Sequence, residues 1–237
     1  MANVHTALRK TSAIVKGMLP RSQKLLSEDS LARDNSHHRF HEACQRISSS
    51  PHYDSVRNAK APYGYLYGRQ IIGESNPVNG GIYLGIIPHE GVVVDEKYGA
   101  LNNLYNELVM RYARDHGKRS HIEDVFFSHI TALTREALPL NEKNVRKLAH
   151  QKKIGPDRKT ALDFYIKQRI GAARHQVLLG AYFLQKLQLK GLIGGLSQID
   201  HRYSALPGED ERLIYTTSAG KILIFDPIAM THLATPT

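Results

Sequence analysis

The stretch that most constrains the fold of this chain lies at residues 170–187. It reads Ile-Gly-Ala-Ala-Arg-His-Gln-Val-Leu-Leu-Gly-Ala-Tyr-Phe-Leu-Gln-Lys-Leu. Apolar side chains recur in it at helical spacing, at Val177, Leu178, Ala181, Leu184 and Leu187. This period predicts an amphipathic helix with one face in the core. The rest of the chain is therefore expected to pack around this helix.

The first turn of this helix is a place where a reactive anion would be stabilised. Its backbone N–H groups lack partners within the helix, and the positive end of the helix dipole lies there. A thiolate suits such a place best. Gly171 provides the tight approach before the helix, and Ala173 stands at the reactive position, followed by Arg174, His175 and Gln176.

Changes of pattern along the chain predict three segments. Residues 1–60 are polar and basic, which favours an N-terminal helical extension. Residues 61–97 are aromatic, β-branched and rich in turns, which favours a β-rich subdomain or insertion. Residues 98–237 contain the helical periods and the final strands, and they are predicted to form the main core.

Particular elements of that core are also predicted. Three helices are expected within residues 98–153. Asp157 is predicted to cap a further helix that begins near Arg158. A strand is expected within residues 189–199, and Arg212–Thr217 and Lys221–Phe225 are expected to pair as a hairpin.

Two motifs resemble those of the transglutaminase-like cysteine peptidase superfamily. Members carry a Gly-x-Cys-Arg-His-Gln motif at the start of a helix, followed by strands that bear a His and an Asp. The motif matches residues 171–176 except at the cysteine, where this chain has Ala173. Asp226-Pro227, after an apolar strand, is similar to the superfamily's Asp-Pro. The resemblance covers roughly residues 100–230 and implies an α+β, papain-like fold, in which the nucleophile helix packs on an antiparallel sheet.

The resemblance also implies a chemistry. The superfamily's acyl transfers on proteins are peptide hydrolysis, glutamine deamidation and transamidation, and they use a Cys-His-Asp triad. Ala173 would mark the nucleophile position and Asp226 the residue that orients the histidine. The histidine is usually about fifteen residues before the Asp, but Asp210 and Glu211 occupy those positions here, so His201 is the nearest candidate for the base.

Two further residues are candidates for substrate binding. Arg174 could bind an acidic group or brace the helix. Gln168, five residues before Ala173, is a candidate oxyanion donor by analogy with papain-type sites. The single cysteine, Cys44, is not placed before a comparable helix and is interpreted as an ordinary helix-face residue. No metal site and no cofactor are expected.

An alanine at position 173 allows two interpretations. The chain could be an inactive variant of a cysteine protease or transglutaminase-like enzyme, with the nucleophile replaced, and the intact surrounding motif favours this reading. It could instead be a natural pseudoenzyme or basic binding module without catalysis, which the missing histidine favours. Because the surrounding motif is otherwise intact, we interpret the sequence as the first of these.

Charge and hydropathy indicate partners and location. Residues 141–190 hold twelve Lys and Arg against three Asp and Glu, within a net charge of +10. Such a face could hold an acidic protein; nucleic acid is possible but not favoured, because aromatic residues are not interleaved with the basic ones. No apolar run predicts a membrane span, and no signal peptide is recognised. A cytoplasmic protein, or an effector delivered into a host or target cell, fits these features.

Overall fold

The structure, a computed structural model, describes residues 38–85, 88–115, 122–203, 209–228 and 232–234. For residues 201–203, 209–210 and 232–234 it describes the backbone alone. Most of the basic extension predicted at residues 1–60 therefore lies outside the described residues. Residues 36–237 form one compact unit.

The described elements comprise six α-helices and ten strands. The helices are α1 at residues 38–46, α2 Ala100–Asp115, α3 Ile122–Ala137, α4 Glu142–Gln151, α5 Leu162–Gln168 and α6 Ala173–Leu189. The strands are β1 Tyr53–Asp54, β2 Tyr65–Leu66, β3 Arg69–Gln70, β4 Ile82–Tyr83, β5 Gly91–Val93, β6 Lys159–Ala161, β7 Leu196–Tyr203, β8 Glu209–Thr216, β9 Ile222–Phe225 and β10 His232–Ala234. A 3₁₀ turn, Glu96–Tyr98, precedes α2. The class is thus α+β, as the sequence predicts.

Three sheets join these strands. β1, β2 and β3 form a small antiparallel sheet, and β7 to β10 form a four-stranded antiparallel sheet in the order β10-β9-β8-β7. The predicted hairpin is confirmed, since β8 and β9 pair with Leu213 opposite Phe225. In the third sheet, β5 pairs antiparallel with β4 and parallel with β6.

Helix α6 occupies the centre of the core. Every residue from Ala173 to Leu184 is buried, so the helix is enclosed on nearly all sides and not only on the single face that its period predicts. Gly180 lets β8 approach closely, because a Cβ there would lie 2.7 Å from a methyl carbon of Leu213. The polar residues of its first turn are consequently buried as well, and each needs an internal partner.

The segment predicted as a β-rich subdomain or insertion, residues 61–97, contributes buried residues to this core. Strand β5 lies between β4 and β6, and β6 belongs to the chain that leads into α5 and α6. Tyr83, Val92 and Val94 are buried in the same apolar cluster as the residues of α6. This pairing brings the residue just before β5, Glu90, to the start of α6.

The prediction of a helix that begins near Arg158 is wrong. Residues 159–161 form β6, and α5 begins only at Leu162 with Ala161 as its N-cap. Asp157 has a left-handed backbone conformation, with φ of 56°, and its carboxylate accepts from the Arg46 guanidinium at 2.7 and 3.2 Å. The side chain that would have capped a helix therefore holds α1 against this loop.

Among the described residues, no helix is both long and apolar enough to cross a bilayer.

Candidate functional site

The turn before α6 is fixed by Gly171. Its N–H donates to the Pro139 carbonyl at 2.9 Å, and its carbonyl accepts from Asn141 N at 2.8 Å. A Cβ at position 171 would lie 2.8 Å from both the Cβ and the backbone oxygen of Leu138. Because this contact involves backbone, the space cannot open by a rotamer change, and glycine is required here.

We expect Gly171→Ala to lower the free energy of unfolding by about 2–3 kcal/mol, through overpacking against a fixed backbone. Urea unfolding followed by circular dichroism measures this. Gly155→Ala is the matched control, because the nearest atoms to a Cβ there are 3.7 Å away on the flexible Arg158 side chain. Equal effects of the two substitutions would contradict this interpretation of Gly171.

Glu90 is the centre of a buried polar cluster at the start of α6. Its side chain is 4% exposed, and its Oε1 accepts from Arg174 Nη2 at 3.0 Å, from His175 Nε2 at 3.0 Å and from Tyr165 Oη at 2.9 Å. Arg174 also lies 3.3 Å from Oε2. The Tyr165 ring stacks on the His175 imidazole with 4.0 Å between centroids. Three donors thus compensate one buried carboxylate, which is the condition for a charge to remain inside a core.

The hydrogen bonds of His175 define its protonation. Nδ1 accepts from the backbone N–H of Ala172 at 3.1 Å, so the single proton of a neutral ring lies on Nε2 and is donated to Glu90. Complete burial lowers the pKa of His175 to about 4, and the charge of Arg174 acts in the same direction, whereas the bond to Glu90 opposes the shift. The imidazole is therefore neutral near pH 7 and serves as a fixed connector.

The carboxylate of Glu90 is ionised. Burial alone would raise its pKa, but the hydrogen bond from His175 and the charge of Arg174 outweigh burial and hold the pKa well below its usual range. For Arg174, burial acts to lower the pKa, and the charges of Glu90, Glu211 and Glu142 overcome it and raise the pKa. The ion pair is thus charged on both sides.

Gln176 ties the same turn to the preceding loop. Its Nε2 donates to the Leu138 carbonyl at 2.7 Å. Together with the bonds of Arg174 and His175, this gives every polar side chain of the Arg-His-Gln motif a structural partner inside the protein. The motif that carries the resemblance therefore also explains how the start of α6 is held in place.

Ala173 stands at the first position of α6 and is only 2% exposed. Its backbone N–H donates to Glu142 Oε1 at 3.2 Å, and the other carboxylate oxygen of Glu142 lies 3.7 Å from Arg174 Nη1. Glu142 comes from the first turn of α4, and its side chain is 43% exposed. A carboxylate thus already occupies the place where the helix dipole favours an anion.

Glu211 faces the same helix from the sheet. It is 2% exposed, and the Tyr83 hydroxyl donates to its Oε1 at 2.9 Å. It alternates along β8 with Leu213, which packs on α6, so both side chains lie on the face of the sheet that meets the helix. Its charge contributes to the raised pKa of Arg174, which places it near the cluster.

The other predicted site residues lie on separate elements of the structure. His201 lies on β7, where its backbone pairs with that of Glu211. Asp226 follows β9, is half-buried, and its carboxylate accepts from Ile228 N at 2.9 Å in a local turn. Gln168 is exposed at the last position of α5. Arg174, predicted to bind an acidic group or brace the helix, is engaged by Glu90 inside the protein.

Three carboxylates around α6 were not among the site residues predicted from the sequence: Glu90, Glu142 and Glu211. They come from a loop, a helix start and a strand that are distant in sequence, and each resembles an ordinary surface acid. One available signal was the position of Glu90, two residues before the apolar run Val92-Val93-Val94. A carboxylate that leads into a buried strand is a candidate for burial with a cation.

Neither a metal site nor a reactive thiol emerges from the described residues. No group of three or more His, Cys, Asp or Glu among them could hold a metal ion. Cys44 is buried in α1, and burial raises the pKa of its thiol to about 11, partly opposed by the charges of Arg57 and Arg46. Its Sγ lies 3.6 Å from the Tyr63 carbonyl.

Comparisons of the chain with protein-family models, with curated proteins and with solved structures give no match.

Proposed function

We propose that this chain is a non-catalytic relative of the transglutaminase-like cysteine peptidases, which acts by binding. In this proposal the core is papain-like, with α6 as the former nucleophile helix and β7 to β10 as the antiparallel sheet. Support comes from the motif at residues 171–176, from the position of Ala173 at the helix start, and from the packing of α6 against β8 at Gly180.

The observation that carries the proposal is the contact of Glu142 with Ala173. A catalytic thiolate gains its low pKa from the N–H groups and the dipole at such a helix start. Here those groups already meet a carboxylate, at 3.2 Å from the Ala173 N–H. A second anion at the same place would be repelled, so a thiol there would have a raised pKa and low reactivity.

Glu211, on strand β8, supports the same conclusion. Glu211 is fifteen residues before Asp226, the spacing at which the resemblance implies the histidine. A carboxylate can neither replace an imidazole as a proton shuttle near neutral pH nor pair with a thiolate. Its burial and its bond from Tyr83 favour a structural role.

The competing candidate is an acyl-transfer enzyme whose nucleophile has been replaced by Ala173. The tight glycine turn at Gly171 and the Asp226-Pro227 pair after β9 favour it. It requires His201, the remaining candidate, to act as the base. The two candidates differ in what a thiol at position 173 would do.

The test is the rate at which iodoacetamide labels Ala173→Cys near neutral pH, in a Cys44→Ser background. We expect labelling no faster than that of Ser49→Cys, a matched variant at an exposed site. Circular dichroism establishes that both variants are folded. Labelling more than about ten-fold faster than the exposed thiol, and slowed by Asp226→Asn or His201→Gln, would overturn the proposal and favour the enzyme.

A further inference from the structure

We propose that α4 and the loop after it bind the phosphate backbone of a double-stranded nucleic acid. This extends the non-catalytic function proposed above by naming a partner. The basic face, as we call this surface, consists of Lys143, Arg146, Lys147, Lys152, Lys153 and Arg158.

The basic face is exposed and uncompensated. All six of its residues are exposed, and none has an ion-pair or hydrogen-bond partner for its side chain among the described residues. Lys143, Arg146 and Lys147 are three and four residues apart on α4, so they lie on one side of the helix, opposite the buried Val145. The charge is therefore concentrated and not spread around the helix.

The loop cations lie near the same place. Ile154 N donates to the Ala149 carbonyl at 2.8 Å, which folds the loop back against the end of α4. The Arg158 carbonyl accepts from Gly91 N at 2.9 Å. Arg146 lies close enough to the neighbouring His89 to contribute to its lowered pKa. Arg146 of α4 and Arg158 of the loop thus both lie beside residues 89–91.

The acids within this segment do not neutralise the basic face. Glu142 is directed to the start of α6, where it accepts from Ala173 and lies beside Arg174. Asp157 is bound by Arg46 of α1. Both carboxylates are thus turned towards internal partners, and the six exposed cations keep their full charge.

The chemistry of the face favours nucleic acid over a protein or a membrane. Protein interfaces concentrate aromatic and apolar anchors and are depleted in Lys, whereas four of these six residues are Lys. The apolar residues of α4, Val145 and Leu148, are buried or half-buried and offer nothing to insert into lipid. Backbone phosphates need only positioned point charges.

A duplex fits better than a single strand. Proteins that hold single strands stack the bases on aromatic side chains. Residues 141–160 contain no Phe, Tyr or Trp. The face can therefore neutralise phosphates but cannot read or stack bases, which predicts binding without sequence preference and with a strong dependence on salt.

The test is fluorescence anisotropy of the whole protein with a labelled DNA duplex of about 24 base pairs, between about 50 and 200 mM salt. We compare the wild type with a triple variant of the basic face, Lys143→Gln/Arg146→Gln/Lys147→Gln. Its matched control is Lys60→Gln/Arg114→Gln/Lys190→Gln, which removes the same charge from exposed sites elsewhere. We expect the face variant to bind at least about ten-fold more weakly, and its log–log salt slope to fall by about 3.

Three results would overturn the inference. One is the absence of duplex binding by the wild type at the lowest salt. Another is an equal loss in both triple variants, because it would mean that only net charge matters. The third is tighter binding of polyglutamate or of phosphatidylserine vesicles than of the duplex at the same salt. Because labelling of Ala173→Cys is measured separately, a failure here leaves the proposal about catalysis intact.

Discussion

Glu90→Gln is expected to lower the free energy of unfolding by about 3–5 kcal/mol, because it removes the nearest buried counter-charge of Arg174. The carboxylate accepts three side-chain donors within 3.0 Å, and a neutral amide can accept from fewer of them while adding donors of its own. Arg174 is 4% exposed, so water cannot replace the lost partner. Urea unfolding, with the midpoint and slope fitted together, measures the change.

The control for this substitution is Glu136→Gln. Glu136 also pairs with an arginine, Arg111, but its side chain is 54% exposed, and exposed pairs contribute about 1 kcal/mol or less. Adding Arg174→Met to Glu90→Gln should recover part of the stability, because it removes the stranded charge. An effect of Glu90→Gln no larger than that of Glu136→Gln would show that the cluster does not hold the start of α6.

Acidification from pH 6.5 to 4 is expected to destabilise the fold by an amount on the order of 5 kcal/mol. Burial lowers the pKa of both His175 and His89 from 6.5 to about 4, and for His89 the charges of Arg174, Arg146 and Arg46 add to the effect. Between these values the unfolded chain binds more protons than the folded chain. Stability is therefore complete above pH 6.5 and is lost as the pH falls towards 4; the depressed pKa of Glu90 extends the loss below 4.5.

The measurement is the free energy of unfolding in urea at intervals between pH 7 and 4, with its slope giving the difference in bound protons. His175→Gln should reduce that slope by about one proton, whatever its effect on stability at neutral pH. His150→Gln, at an exposed site on α4, serves as the control. An unchanged slope in His175→Gln would mean that this imidazole is not held neutral in the folded protein.

The regular elements could be predicted because their signals are local. Residues close together in the sequence suffice to predict the apolar periods of α2, α3 and α6. The same holds for the Ser218-Ala219-Gly220 turn between β8 and β9. The parallel pairing of β5 with β6 could not be predicted, since it joins strands of three residues that are far apart in the chain. The helix expected at Arg158 failed because Asp157 is used by a distant arginine, Arg46, and not by the local backbone.

The start of the central helix could be predicted from the sequence, but the partners of its polar side chains could not. The motif at residues 171–176 identified the start of the central helix, and Ala173 is found there. The partners of that helix start depend on tertiary contacts, which bring Glu90, Glu142 and Glu211 together around Arg174. No spacing within the sequence encodes these contacts, which engage Arg174 with Glu90 inside the protein.

The most direct test of a non-catalytic helix start is the pKa of the thiol in Ala173→Cys, in the Cys44→Ser background, from thiolate absorbance as a function of pH. We expect a pKa at or above about 8.5, the ordinary value for cysteine. We also expect the pKa to fall by about one unit when Glu142→Gln removes the carboxylate bound to the Ala173 N–H. A pKa below about 7 with Glu142 in place would contradict a non-catalytic role, because the helix start would then still stabilise a catalytic thiolate.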